Sequence, residues 1–309
     1  MKKHINVRWL SLAGILLLIA GCNVLPSYRP ADTPTIQDFS SSGRYRKQIG
    51  VMALTNTTLF ASSQASAPFM EAFLSELAST VPDAILLTPG KPDTPAFLLN
   101  PPRLSTGEVD AFAFSALARQ AGMSAVVSPV LMDVRVRKET SGLWIFRSVD
   151  HYLRIQVAAA VYDPITGSRI TLERLTQEIS IDEDLAGVIN TGRETAVPGL
   201  EKTIGKMGKE LGEQMGETIS RAPLRLSVIA VENSMCVIPA GSLAGISQED
   251  RFAVIDNREV LAGWNEQRYR VPGVKIGGVR VIQVTPEKSF AVPESGDPPP
   301  VGSIVVPGT

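Results

Sequence analysis

Two cysteines and two histidines in 309 residues are too few to make disulfides or a metal centre a major theme. Charge of either sign is not in excess, with Lys plus Arg at 30 and Asp plus Glu at 31. That balance offers no basic surface for nucleic acid and no acidic tail. No phosphate loop, Gly-x-Ser-x-Gly elbow or zinc-protease helix occurs. The expectation is therefore a chain without catalytic residues, metal, cofactor or small-molecule substrate. His4 lies in the first segment, which leaves His151 as the one histidine beyond it, on the apolar phase of a strand. A buried core or edge position suits it better than the role of a base. Cys236, amid "SMCVIP", reads as a buried, inert small side chain.

A long apolar run is also missing. Residues 9–20, "WLSLAGILLLIA", fall short of the ~20 that a membrane-spanning helix needs, but suit the apolar stretch of a signal peptide. Lys2, Lys3 and Arg8 supply the positive charge before it, and Ala20 and Gly21 lead into Cys22. Small residues directly before a cysteine resemble the bacterial lipobox. The resemblance implies that residues 1–21 are removed and that Cys22 carries diacylglycerol and an N-acyl group such as palmitate. Several acyl chains anchor stably where one does not, at ~0.8 kcal/mol per buried methylene. Asn23 in place of Asp leans, by the same resemblance, towards the outer membrane, with the body on the periplasmic side.

Residues 22–47 are rich in Pro, Ser, Thr and Asp and read as a flexible tether. A body over 48–222 follows. It opens with a buried strand at 48–56, an amphipathic helix at 66–80 and a second strand at 83–90. The Pro-rich stretch 91–104 reads as loop. Ser105 and Glu108 form a capping box for a helix over 105–122 that ends at Gly122. Three strands, 124–139, 149–163 and 168–182, form an antiparallel meander. The apolar phase of the third changes near Glu173 and Arg174, which suggests a bulge. Asp182, Glu183 and Asp184 precede a short helix and favour its N-terminus.

A helix over 197–222 carries Gly208, Gly212 and Gly216 in one row. Each glycine costs up to ~1 kcal/mol against alanine, so the row implies close backbone approach, read here as packing on the body's own sheet. Lys206, Lys209, Glu210 and Glu213 rule out a membrane span for this helix. Residues 223–309 are short β runs split by Gly, Pro and Asn, a small all-β barrel-like domain. The fold class is α+β: a β-α-β-α-β-β-β-α mixed-sheet domain followed by that all-β domain.

The order of elements, with "FSALARQAGMSAVVSPVLMDVRV" and "LRIQVAAAVYDPITGSRI", resembles the curli secretion lipoprotein and the amino-terminal domain of the Tol β-propeller protein. It also resembles the middle domain of the flagellar H-ring protein and the outer-membrane activator of a peptidoglycan synthase. "VIPAGSLAGISQEDRFAVID" (237–256) is similar to the last domain of the H-ring protein, where a turn flanked by glycines (here Gly241 and Gly245) precedes a Phe-x-Val strand. That family often has Gly-Asp before the strand; this chain has Glu249-Asp250. The resemblance implies a scaffold or assembly factor of a secretion or flagellar type machine, whose partners are envelope proteins and other copies of the chain. Its alternatives are a regulator of a cell-wall synthase and a curli-type secretion pore.

Leu143, Trp144, Ile145 and Phe146 stand together at the tip of the first hairpin. One strand face cannot bury all four. Either the tip contacts a partner or a membrane, or it folds onto the "AFLLN" of the Pro-rich loop.

Overall fold

The computed structural model describes residues 44–308 apart from 59, 61, 62, 143–146 and 194. Cys22 and residues 143–146 thus lie outside the described residues, as do residues 1–43 as a whole. The described residues form one compact unit.

The first sheet contains β1 (Gln48–Val51), β2 (Thr55–Asn56), β3 (Ile85–Leu87), β4 (Ala125–Ser141), β5 (Ser148–Tyr162) and β6 (Arg169–Ile181). Its order is β3-β1-β4-β5-β6, with β2 beside β4. β1 runs parallel to β3 and β4, while β4, β5 and β6 form the expected antiparallel meander. Its helices are α1 (Ser63–Thr80), α2 (Ala96–Leu99), α3 (Ala111–Gln120), α4 (Glu183–Asn190) and α5 (Leu200–Arg221).

The parallel part is covered on both faces, which explains its unbroken apolar runs. Ile49, Val51, Val127, Leu153, Ile155 and Val157 pack against Phe69, Phe73 and Leu77 of α1 and Leu211 and Met215 of α5. On the opposite face, Met52, Met123 and Val126 pack with Phe97 and Leu98 of α2 and Phe114 of α3. Burying each such side chain stabilises by ~1.5–3 kcal/mol.

Four local expectations are corrected. The Pro-rich stretch is not wholly loop: α2 sits inside it, because Phe97 and Leu98 are drawn into the second core. The helix expected from Ser105 begins at Ala111, with Asp110 accepting a hydrogen bond from the Ala113 N–H. Gly107, at φ +84°, instead closes a turn in which the Leu104 N–H bonds the Glu108 carbonyl. No bulge interrupts β6 near Glu173; Ala158↔Arg174 and Ala159↔Glu173 pair in register. The change of phase reflects a change of face, since Leu175, Ile179 and Ile181 meet the core while Ile170 and Leu172 stay exposed. Finally, the glycine row of α5 packs on helix α1, not on the sheet. A Cβ at Gly208 would lie 2.5 Å from the Phe69 carbonyl oxygen, and one at Gly216 2.5 Å from Thr80 Cβ.

The second sheet is antiparallel, in the order β7-β15-β10-β13-β14-β9-β8. These are Leu226–Ser227, Ile304–Pro307, Arg251–Ile255, Lys275–Val284, Ser289–Pro293, Met235–Ile238 and Ala230–Glu232 respectively. β7 and β8, at opposite edges, are successive parts of one segment. Between them the Val228 N–H bonds Ser303 on one side, and the Ile229 N–H bonds Val237 on the other. The sheet therefore curls until its edges meet, which gives the expected barrel-like form. β11 (Glu259–Ala262) and β12 (Arg268–Val271) make a separate hairpin.

Arg44 and Tyr45, in the stretch read as tether, lie against this second sheet. Arg44 pairs with the buried Asp250 at 3.0 Å, and the Tyr45 ring lies 5.8 Å from that of Phe252.

Candidate functional site

The expected contact residues 143–146 lie in sequence between the described ends of β4 and β5, which form the longest ladder among the described residues. β4 and β5 pair from Val126↔Tyr162 to Ser141↔Ser148. The inner half buries Leu153, Ile155 and Val157, whereas 137–141 and 148–150 are exposed on both faces. This outer half is polar. Arg137 donates to both carboxylate oxygens of Glu178, at 3.0 and 3.1 Å, and to Glu139 at 3.1 Å. Phe97 and Leu98 of the "AFLLN" segment are buried beside Met123 and Val126, at the other end of β4. At ~3.3 Å per residue, Val126 and Ser141 are roughly 50 Å apart along the strand.

His151 is buried on the apolar phase, opposite Lys138 and Ile181. Cys236 is buried with a free thiol, and its Sγ–H donates to the Ala291 carbonyl at 3.3 Å. Burial pushes this thiol up to about 11, so at neutral pH it carries no nucleophilic thiolate. Asp182 caps α4 by accepting from the Leu185 N–H at 2.7 Å. Among the described residues, no group of three or more His, Cys, Asp or Glu side chains could hold a metal ion. No helix among them is long and apolar enough to cross a membrane.

Two features escaped the sequence reading. The first is a second apolar tip. Trp264, 86% exposed, opens the β11–β12 turn, where Asn265 and Glu266 both take left-handed φ, +53° and +62°. That two-residue geometry matches the twist of a tight hairpin. Val260 and Leu261 on β11 are exposed as well. The hairpin is seated by Arg268, whose guanidinium lies 4.5 Å from the Phe112 ring centre on α3, and by Ser105, which donates to Glu266 at 3.0 Å. The signal was a lone tryptophan amid turn residues, "GWNEQ".

The second is the "DPITG" turn between β5 and β6, which the second sheet grips. Asp163, 3% exposed, accepts from the Ile165 N–H at 3.0 Å, the Thr166 hydroxyl at 2.8 Å and Arg225 at 2.9 Å. Ile165 inserts between Ile255, Ile304 and Val306. Asn257 donates to the Ile165 carbonyl, Arg119 to that of Pro164, and the Arg270 N–H to that of Thr166. Burial, and then the charge of Arg270, lower the Arg119 guanidinium to about 10. A cleft of about 510 Å³ adjoins this turn, lined by Asp163, Ser168, Thr218, Arg225 and Pro272. A second, of about 370 Å³, lies between Leu87, Gln120 and Lys288. The turn is a joint between the two sheets.

No family model matches the chain, and no curated protein does. Solved structures similar to it include the lipoprotein GNA1162 from Neisseria meningitidis, at 13% identity and a TM-score of 0.28. That match covers 47% of this chain and 93% of the other. The PelC dodecamer from Paraburkholderia phytofirmans is similar at 11% identity and a TM-score of 0.29, covering 57% and 92%. A minor lipoprotein from Acinetobacter baumannii is similar at 12% identity and 0.29, covering 57% and 96%.

Proposed function

We propose that this chain is a lipid-anchored, non-enzymatic scaffold or assembly factor of a bacterial envelope machine, tethered through Cys22 and facing the periplasm. The observation that carries the reading is the run of positive residues, short apolar stretch, small residues and Cys22 in register. Asn23 favours the outer membrane. The buried settings of His151 and Cys236 support a role without catalysis. Docking falls to the two projecting hairpins, through Leu143, Trp144, Ile145 and Phe146 on one and Trp264 on the other. An exposed aromatic residue on a tight turn, as Trp264 is, supplies apolar contact area at low entropic cost. Arg137, Lys138, Glu139 and Asp150 leave the outer β4–β5 stretch without a continuous apolar face, which weighs against insertion as a pore.

The test is Cys22→Ala in the full chain. Palmitate incorporation should be lost and the protein should leave the membrane fraction. Unchanged labelling and fractionation would sink the anchor. Trp144→Ala and Trp264→Ala should weaken capture of envelope partners while leaving the melting temperature unchanged.

A further inference from the structure

Two long strand edges are left open among the described residues: β6, and the part of β4 beyond Leu131, which pairs only with β5. The second sheet closes on itself, and β3, at the other end of the first sheet, spans only Ile85–Leu87. β6 runs over Arg169–Ile181 and, among the described residues, pairs only with β5. The chain then turns at Asp182 and α4 packs into the first core through Leu185 and Ile189, and no described strand pairs with the outer row. Such a row of free N–H and C=O groups is a template for another strand.

We propose that β6 pairs with β6 of a second copy, antiparallel, about a two-fold axis at Thr176. The charge pattern selects this occupant and this register. With Thr176 opposite its own copy, Arg174 of each chain stands opposite Glu178 of the other, twice by symmetry, and Leu172 stands opposite Ser180. Centring the pair on Glu173, Arg174 or Glu178 would oppose like charges. Centring it on Leu172, Leu175 or Gln177 would set none of these charges opposite its complement across the pair, leaving Glu178 only Arg137 of its own chain. Centring it on Thr171 sets Arg169 opposite Glu173 but overlaps only residues 169–173 of the strand. An edge guarded against pairing carries charges that repel a copy of itself; these attract one. The exposed Leu172 gains cover in the pair. The inference rests on this edge alone and stands whether or not Cys22 is acylated.

The test uses the full chain, extracted in detergent. Thr176→Cys brings two thiols together at the two-fold, and oxidation should give a disulfide-linked dimer. The unsubstituted chain, which retains Cys22 and Cys236, and Ile170→Cys should not. Arg174→Glu added to Thr176→Cys should abolish the cross-link. Arg174→Glu and Glu178→Arg chains, each monomeric by sedimentation, should pair when mixed, because each then meets the opposite charge; circular dichroism checks that both are folded. A Thr176→Cys chain that gives no dimer beyond the unsubstituted control overturns the proposal. So does cross-linking that Arg174→Glu leaves intact, which would place the contact elsewhere.

Discussion

A Cβ placed on Gly212 would lie 2.6 Å from the carbonyl oxygen of Phe73, closer than real side chains approach backbone. α5 and α1 therefore pack backbone to backbone, and no side chain can swing away to relieve an insertion. Gly212→Ala gains up to ~1 kcal/mol of helix propensity, but must part the helices. We expect Gly212→Leu to destabilise by about 3 kcal/mol through overpacking. Thermal or urea unfolding checks this, and wild-type melting would refute the close approach.

Asp163 should be the most sensitive polar residue of the joint. Removing its carboxylate leaves Arg225 without its 2.9 Å partner and frees the Thr166 hydroxyl and the Ile165 N–H. Breaking a buried pair from one side costs about 3–5 kcal/mol. Asp163→Ala should lower stability by that order and raise proteolysis between the two sheets, whereas Arg225→Lys should cost less. Limited proteolysis alongside urea melts measures both.

These two sites show what the sequence could and could not convey. The glycine row announced a close approach, because three propensity costs in register need a compensating contact. It could not say whether a helix or a sheet lay across from it. The "DPITG" turn was legible as a turn, since Asp and Gly suit one. Its role as a joint was not, because its partners Arg119, Arg225 and Asn257 stand 45 to 92 positions away from the residues they hold. The misplaced start of α3 has a local cause. Ser105 and Glu108 have capping spacing, but Gly107 takes the left-handed turn and Asp110 is the better cap. Trp264 was passed over because one tryptophan in a polar segment leaves no period to read.

Glu249 occupies the place where the resembling family often has glycine, and it does so at φ +71°. A non-glycine residue there costs about 1–2 kcal/mol. Glu249→Gly relieves this but loses an exposed pair with Arg280, worth at most about 1 kcal/mol, and adds freedom to the unfolded chain worth about 0.4–1 kcal/mol. The terms largely cancel, and the expected net change is within about 1.5 kcal/mol of zero. Glu249→Val, β-branched at positive φ, should cost more than about 1 kcal/mol. Urea midpoints of the two variants would separate strain from pairing.

Cys236 should set part of the alkaline limit of stability. Its thiol rises from 9.0 to about 11 on folding, through burial first. Between those values the unfolded chain loses the proton and the folded chain keeps it. The contribution is complete below pH 9 and is lost as pH rises towards 11. At about 1.36 kcal/mol per pH unit, the loss approaches about 2.7 kcal/mol. Burial lowers Lys47 and Arg119, and those groups act in the opposite sense. The measurement is therefore a difference. Cys236→Ala should cost about 1 kcal/mol at pH 7 for the lost packing, and should then fall less steeply than the parent between pH 9 and 11. Parallel slopes over that range would show that the thiol is hydrated in the folded protein.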